Sequence, residues 1–280
     1  MKPNFSPINI GKIHFDFSRP YVMGILNVTP DSFSDGGNFF PRDKAIEHAQ
    51  RMREEGADII DIGGESTRPG SDPVSAEEEL ERVIPVIEAI APELKIPISI
   101  DTCKAEVAEK ALDSGASMIN DVTGLRGDDK MAALASSCKV PVVVMHMKGK
   151  PKTMQKNPKY DDMIGEIGEY FEGSIRIADD AGLPRDKLIL DPGLGFGKTY
   201  EHNFALIRNL GQFQKFGLPL LVGASRKRFL SVDNKYPETE RLEQSLAVAC
   251  AAVENGANFV RVHDVLSTKK ALWAFLNINI

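Results

Sequence analysis

The sequence predicts an α/β protein that folds as a single (β/α)8 barrel over residues 1–280, and three patterns support this prediction. Eight strand-like apolar runs alternate with helical patterns, at 21–28, 58–63, 96–101, 117–122, 140–146, 187–191, 219–225 and 258–264. Three segments repeat one short template, and many runs end in a polar residue before a turn. Such a barrel takes about 250 residues as one unit, which agrees with one domain.

The repeated template is a helix stop followed by a strand. It occurs at Gly56–Asp61, Gly115–Asn120 and Gly256–Arg261. The glycine suits the left-handed position after a helix, and the apolar residues that follow suit a barrel wall. Short turns of this kind predict parallel strands. An open, doubly wound sheet is the structural alternative.

The N-terminal segment predicts a small hairpin rather than a ninth barrel unit. Residues 8–17 alternate apolar and polar side chains around Asn9-Ile10-Gly11-Lys12, a pattern typical of two short antiparallel strands. We expect this hairpin to close the end of the barrel opposite the site.

Charge and composition exclude several classes of function. The net charge of −6 and the isoelectric point near 5.5 argue against a general nucleic-acid binder. Residues 1–17 lack the apolar core of a signal peptide, and no apolar run approaches the roughly 18 residues of a membrane span. The cysteines, Cys103, Cys138 and Cys250, form no C-x-x-C pair. We therefore expect a cytoplasmic protein with reduced thiols and no membrane partner.

The polar residues near the strand ends predict where the site lies. They are Asn27, Asp61, Asp101, Asn120, Asp191, Lys227 and Arg261. In a (β/α)8 barrel the C-terminal strand ends converge on one mouth, so these side chains can meet around one ligand. Arg261 and His263 alternate onto one strand face and could share a phosphate. The glycine-rich segment 63–70 adds a hydroxyl and a guanidinium suited to an anion.

A second glycine-rich segment invites a phosphate-loop interpretation that its spacing excludes. Gly197-Lys198-Thr199 matches the end of such a motif. The motif needs a glycine five residues before Gly197, where this chain has Pro192. Nucleoside triphosphate binding is therefore not predicted. The histidines at 14, 48, 146 and 202 lack paired metal spacing, and we expect them to be structural or exposed.

Seven ordered motifs together resemble the dihydropteroate synthase family of pterin-binding barrels. They are MGILNVTPDSFSDGG at 23–37, GESTRPG at 64–70, SID at 99–101, NDV at 120–122, DPG at 191–193, SRK at 225–227 and RVHD at 261–264. The resemblance covers nearly the whole chain. It implies condensation of 6-hydroxymethyl-7,8-dihydropterin diphosphate with p-aminobenzoate, giving 7,8-dihydropteroate and pyrophosphate.

The resemblance also implies roles for individual residues. The pterin would be held by Asp101, Asn120, Asp191 and Lys227, of which Asp101, Asp191 and Lys227 would be catalytic. The diphosphate pocket would be lined by Thr67, Arg68, Arg261, Val262 and His263. The p-aminobenzoate pocket would be shaped by Phe33, Pro69, Phe196 and Ser225. Asn27 would coordinate Mg²⁺ held with the diphosphate, and a homodimer is expected.

One position departs from the family, and two other functions share parts of the pattern. Many relatives carry a small hydroxyl residue where this chain has Arg228, which would either meet the p-aminobenzoate carboxylate or point outward. A pterin-binding methyltransferase that passes a methyl group to a corrinoid protein is the nearest enzymatic alternative, although it needs no diphosphate pocket. A non-catalytic pterin-binding paralogue is the other alternative.

Overall fold

A computed structural model describes residues 6–29, 40–66, 71–231 and 235–278. The strands are β1 Ile8–Ile10, β2 Ile13–Phe15, β3 Tyr21–Asn27, β4 Ile59–Gly63, β5 Ile98–Asp101, β6 Met118–Asp121, β7 Val142–Met145, β8 Leu188–Asp191, β9 Leu221–Val222 and β10 Phe259–Val262. The helices are α1 Phe40–Glu54, α2 Ala76–Ile90, α3 Ala105–Asp113, α4 Met131–Cys138, α5 Met163–Asp180, α6 Tyr200–Arg208, α7 Leu242–Glu254 and α8 Val265–Ile278.

Eight parallel strands close into a barrel, which confirms the predicted fold. Their order is β8-β7-β6-β5-β4-β3-β10-β9. A parallel bridge between Leu190 and Leu220 joins the two edges, and the Leu190 amide donates to the Pro219 carbonyl at 2.9 Å. The open, doubly wound alternative is therefore wrong. This closure gives the strands one shared C-terminal mouth.

Strand β9 is shorter than the apolar run at 219–225 that predicts it. Regular pairing stops at Val222. A few residues later, Arg226 has a φ of +57°, a left-handed conformation that a strand cannot contain. The chain leaves the sheet here and forms a turn, and this turn carries Ser225 and Lys227 to the mouth.

The three template turns form as the sequence predicts. Gly56, Gly115 and Gly256 have φ values of +95°, +117° and +105°. The amide of the alanine after each glycine donates back to a carbonyl in the preceding helix, at 2.9 Å in all three cases. This is the bond that ends a helix on a left-handed glycine. Each turn therefore delivers its strand in the same direction.

The hairpin β1–β2 plugs the end of the barrel opposite the mouth, as predicted. Phe15 is 1% exposed, and its ring centroid lies 4.7 Å from that of Tyr21 and 5.8 Å from that of Phe259. These rings join the first inward side chains of the barrel strands, including Ile59 and Val143, in one apolar cluster. The opposite faces of the strands pack against the helices.

Among the described helices, none combines the length and apolar character that crossing a bilayer requires.

We predict that Phe15→Ala lowers the free energy of unfolding by about 3–5 kcal/mol, because it leaves a cavity among packed rings. Ile13→Ala is the matched control, since Ile13 lies in the same hairpin but is 40% exposed. Equilibrium unfolding in urea measures both variants. If both variants lose the same small amount of free energy of unfolding, the aromatic plug does not stabilise the barrel as proposed.

Candidate active site

Strand register brings the predicted polar residues together at the mouth. Asp101 and Asn120 are direct partners across β5 and β6, and Gly63 of β4 lies opposite Asp101. Arg261 lies on β10, which pairs with β3 on the other side of β4. A residue that is distant in sequence thus enters the same layer of the barrel as Asp61 and Asp101.

Arg261 binds two carboxylates within this layer. Its Nε donates to Asp61 Oδ2 at 2.5 Å, and its Nη2 donates to Asp101 Oδ2 at 2.6 Å. Asn120 Nδ2 donates to the same Asp61 oxygen at 2.9 Å. Asp61 is fully buried, whereas Asp101 retains 8% exposure. The guanidinium therefore fixes one buried acid and one acid at the floor of the mouth.

Burial and charge act in opposite directions on this network. Burial raises the pKa of Asp101 to about 7, against the attraction of Arg261. Burial works to lower the pKa of Arg261, but Asp61 and Asp101 outweigh it and raise that pKa. Asp101 Oδ1 has no hydrogen-bond partner within the described residues. Because buried polar oxygens are almost always bonded, this oxygen is a candidate acceptor for a ligand.

A second group of residues lies around the loop after β8 and includes Lys227 from the turn after β9. Asp191 Oδ1 accepts a bond from the Gly193 amide at 2.7 Å, and burial raises the pKa of Asp191 while Lys227 opposes that shift. Lys227 Nζ donates to the Leu194 carbonyl at 2.5 Å and lies 4.5 Å from the centroid of the Phe196 ring. Burial lowers the pKa of Lys227 to about 8, with Asp191 opposing.

These shifts show that the two groups share one electrostatic environment. Lys227 interacts with the charges of Asp191, Arg261 and Asp101, and Asp191 interacts with Lys227 and Arg261. The site therefore combines acids and cations within one buried mouth. Such an arrangement suits a polar heterocycle that offers both donors and acceptors.

Ser225 and His263 meet beside this group. The Ser225 hydroxyl accepts from the His263 amide at 3.1 Å, and its oxygen lies 3.1 Å from His263 Nδ1. Next to them, Arg226 donates two bonds to Asp264, at 2.9 and 2.6 Å. This ion pair joins the turn after β9 to the end of β10, which places Ser225 against His263. Val262 is buried between Arg261 and His263.

The other predicted residues fall into two sets. Asn27 is half-buried at the last position of β3, and Arg228 is exposed directly after Lys227. Phe33, Thr67, Arg68 and Pro69 lie outside the described residues. The described part of the chain contains no cluster of three or more histidine, cysteine or acidic residues that could hold a metal.

Sequence reasoning assigned no role to two residues that the structure places next to the site. His146 was expected to be structural or exposed and is buried at the end of β7, and Lys198 is buried beneath the loop after β8. The signal for Lys198 is the Gly-Lys-Thr segment, whose spacing excludes a phosphate loop. Its closely spaced glycines indicate a tight loop in which backbone groups dominate.

Comparison with known proteins identifies the family. The family model described as pterin binding enzyme matches residues 23–263. The dihydropteroate synthase of Escherichia coli strain K12 is 51% identical over 257 residues, which cover 92% of this chain and 91% of that protein.

Solved structures show the same similarity over the whole fold. The dihydropteroate synthase of Yersinia pestis, in a sulfonamide drug complex, has a TM-score of 0.91 at 45% identity and covers 98% of both chains. That of Xanthomonas albilineans in complex with 7,8-dihydropteroate has a TM-score of 0.89 at 39% identity, again over 98% of both chains. The chain belongs to the dihydropteroate synthase family of pterin-binding barrel enzymes.

Proposed function

We propose that Asp101, Asp191 and Lys227 carry the chemistry of this enzyme. A dihydropteroate synthase condenses 6-hydroxymethyl-7,8-dihydropterin diphosphate with p-aminobenzoate in folate biosynthesis, which makes it a transferase that releases pyrophosphate. The unpartnered oxygen of Asp101, set beside Lys227 and Asp191, is the observation that carries the residue assignment. The relatives described above favour this reaction over methyl transfer to a corrinoid protein.

Hydrogen bonding explains how the site would hold the pterin. The Asp191 carboxylate can accept two parallel bonds from the amino-pyrimidinone edge of the ring. Asn120 can donate as well as accept, and its amide is already oriented by Asp61. Lys227 would donate to the ring carbonyl or to N5. Its present acceptor is the Leu194 carbonyl, so a ligand would add to or replace that bond.

Charge development explains how the same residues would accelerate the reaction. The C–O bond to the diphosphate breaks first, and its electron pair leaves with pyrophosphate. Positive charge then spreads over the pterin methylene and ring until the amine nitrogen forms the new C–N bond and loses a proton. A carboxylate about 4 Å from that charge contributes on the order of 4 kcal/mol at an effective dielectric constant near 20. The aromatic amine is neutral at pH 7 and needs no strong base.

The amine and diphosphate pockets would lie next to this centre and next to each other. We propose that Phe196 and Ser225, together with Phe33 and Pro69, shape the p-aminobenzoate pocket. Arg261, Val262 and His263, with Thr67 and Arg68, would line the diphosphate pocket. His263 is fixed to Ser225, so the two pockets share a wall. That arrangement would bring the amine close to the carbon that loses the diphosphate.

The residues present fit a magnesium ion that arrives with the diphosphate. Mg²⁺ is usually bound by one or two protein oxygens together with substrate phosphates. Asn27 offers one carboxamide oxygen at the end of β3, and the described residues form no separate metal cage. When bound, the ion would stabilise charge on the leaving pyrophosphate. Asn27 would be its protein ligand.

A homodimer and a cytoplasmic location complete the proposal. On α8, Trp273 is 70% exposed and Leu266 is 43% exposed. They are seven positions apart in the sequence, so they lie on one face of the helix. Exposed large apolar side chains on one face are typical of a protein interface. We propose that a second copy of the chain covers them.

We predict that, in the early phase of the reaction, pyrophosphate appears only when the pterin diphosphate, p-aminobenzoate and Mg²⁺ are all present. A coupled pyrophosphate assay with each component omitted in turn measures this, and a chelator with Mg²⁺ added back controls for the metal. Pyrophosphate that forms slowly without the amine would support early C–O cleavage. Absence of pyrophosphate from the complete mixture would refute the activity.

We predict that kcat/KM rises with pH through a pKa near 7 and falls near 8, because the carboxylate of Asp101 and the ammonium of Lys227 are the active forms. Asp101→Asn should lower kcat about 10²-fold and abolish the rising limb that belongs to Asp101. Ionisation of the substrate diphosphate remains in both profiles and serves as an internal control. An unchanged kcat would remove the cation-stabilising role.

We predict that Trp273→Glu converts a dimer into a monomer, because a charge cannot be buried in an apolar contact without a partner. Sedimentation velocity measures the mass of both proteins, and Trp273→Phe is the control that retains the apolar surface. A wild-type monomer at micromolar concentration would contradict the proposed dimer.

A further inference from the structure

The loop after β8 contains a buried lysine, Lys198, that contacts His146 at the end of β7. Lys198 is 3% exposed and His146 is 4% exposed. Lys198 Nζ lies 2.9 Å from His146 Nδ1, 2.9 Å from the Gly193 carbonyl oxygen and 3.1 Å from the Phe196 carbonyl oxygen. The activity described above assigns no role to either side chain.

The three contacts match the donors of a lysine ammonium. An ammonium group has three N–H donors and a neutral amine has two, so three acceptors favour the charged form. Burial lowers the pKa of Lys198 well below its usual range despite attraction by Asp191, so burial acts against the charged form that the three acceptors favour. Burial and the charge of Lys198 lower the pKa of His146 to about 2. His146 is therefore neutral, and as an acceptor for the Lys198 ammonium it would carry its proton on Nε2.

The loop above Lys198 also touches Lys227. The Leu194 carbonyl accepts the Lys227 ammonium, and the Phe196 ring lies under it. Lys198 binds the carbonyls of Gly193 and Phe196 in the same segment. Both lysines therefore bond to backbone carbonyl oxygens of residues 193–196.

The backbone of this loop also lies close to the end of β7. Gly193 has a φ of +68°, and a Cβ built there would lie 2.0 Å from the His146 carbonyl oxygen. The backbone of this segment therefore packs directly on the end of β7, where His146 is. Leu194 and Phe196 pack into apolar clusters, and the hydrogen bonds from Lys198 to the carbonyls of Gly193 and Phe196 add a backbone constraint to that packing.

We propose that Lys198, oriented by His146, is a positioning residue that sets the geometry of Leu194 and Phe196 against Lys227. Lys198 touches no reacting atom in this arrangement. It acts by fixing the backbone to which Lys227 is bonded and the ring that would form one wall of the p-aminobenzoate pocket. This inference rests on the proposed function for its kinetic consequences and on the described contacts for its geometry.

The proposal predicts a selective kinetic defect. In Lys198→Met, the KM for p-aminobenzoate should rise about tenfold or more, and kcat should fall, because Phe196 and Lys227 lose their fixed positions. The inhibition constant of the product pyrophosphate should change less than about twofold, since the diphosphate pocket lies on other elements. A purely structural role would alter the amount of folded protein and leave these constants equal to those of the wild type.

His146 provides a matched pair of variants that separates acceptor from bulk. The side-chain oxygen of asparagine can replace histidine Nδ1 as an acceptor, so His146→Asn should retain the wild-type KM for p-aminobenzoate within about threefold. His146→Leu has similar size but no acceptor and should show the Lys198→Met defect. Lys156→Met, an exposed lysine in the neighbouring loop, controls for loss of one positive charge.

A double-mutant cycle tests the route of action. If Lys198 acts through Phe196, the effect of Lys198→Met on the KM for p-aminobenzoate should shrink at least fivefold in a Phe196→Ala background. Equal effects in both backgrounds would overturn this route. Wild-type kinetic constants in Lys198→Met would overturn the proposal. Equal constants in His146→Asn and His146→Leu would overturn it too. If Lys198→Met does not fold, the histidine pair decides the test. A wild-type enzyme without pyrophosphate release would instead refute the proposed function.

Discussion

The ion pairs of the half-buried Arg261 guanidinium with Asp61 and Asp101 are the interaction on which the site depends. Two carboxylates inside a barrel would repel each other and lose their hydration, at a cost of several kcal/mol for each ion. Arg261 offsets this by donating to Asp61 and Asp101 with separate nitrogens. The remaining bond to Asp61 comes from Asn120. A single cation therefore makes an acidic floor possible and sets the orientation of three side chains.

The two ends of the barrel differ: one end is an apolar plug that stabilises the fold, and the other carries the polar residues of the candidate site. At one end, the hairpin and the aromatic rings of Phe15, Tyr21 and Phe259 form an apolar plug. At the other end, the same strands finish in acids, amides and cations. The strand ends that converge on the mouth are held by the plugged core below them. Polar groups at the mouth can then remain incompletely bonded, as Asp101 Oδ1 is, without loss of the fold.

The sequence was sufficient to predict the fold and the convergence of polar strand-end residues at one mouth. Glycine stops, apolar runs and polar strand ends obey local rules, and the structure confirms the barrel, the hairpin and the template turns. It also shows that Asn120 and Arg261 both donate to Asp61, so the last residues of the three template copies share one hydrogen-bond network. Sequence alone could not predict this pairing, because it depends on the register and closure of β4, β6 and β10.

The contacts beneath the loop after β8 were unpredictable for a related reason. His146 and Lys198 are 52 residues apart, and neither belongs to a local pattern that specifies a partner. Both were placed by the packing of one strand end on a glycine-rich backbone. Gly-Lys-Thr here holds carbonyl groups rather than phosphates, which shows that the same residue types serve different acceptors when their spacing changes.

The roles assigned to the Arg261 network are tested most directly by a crystal structure of the protein with a bound pterin. We predict that one pterin ring donates hydrogen bonds to Asp101 Oδ1 and Asp191, accepts one from Lys227 and bonds to Asn120. Arg261 should stay bonded to Asp61. A pterin bound at the mouth with Asp101 Oδ1 still unpartnered would contradict these roles. A pterin that does not contact both Asp191 and Lys227 would contradict them as well.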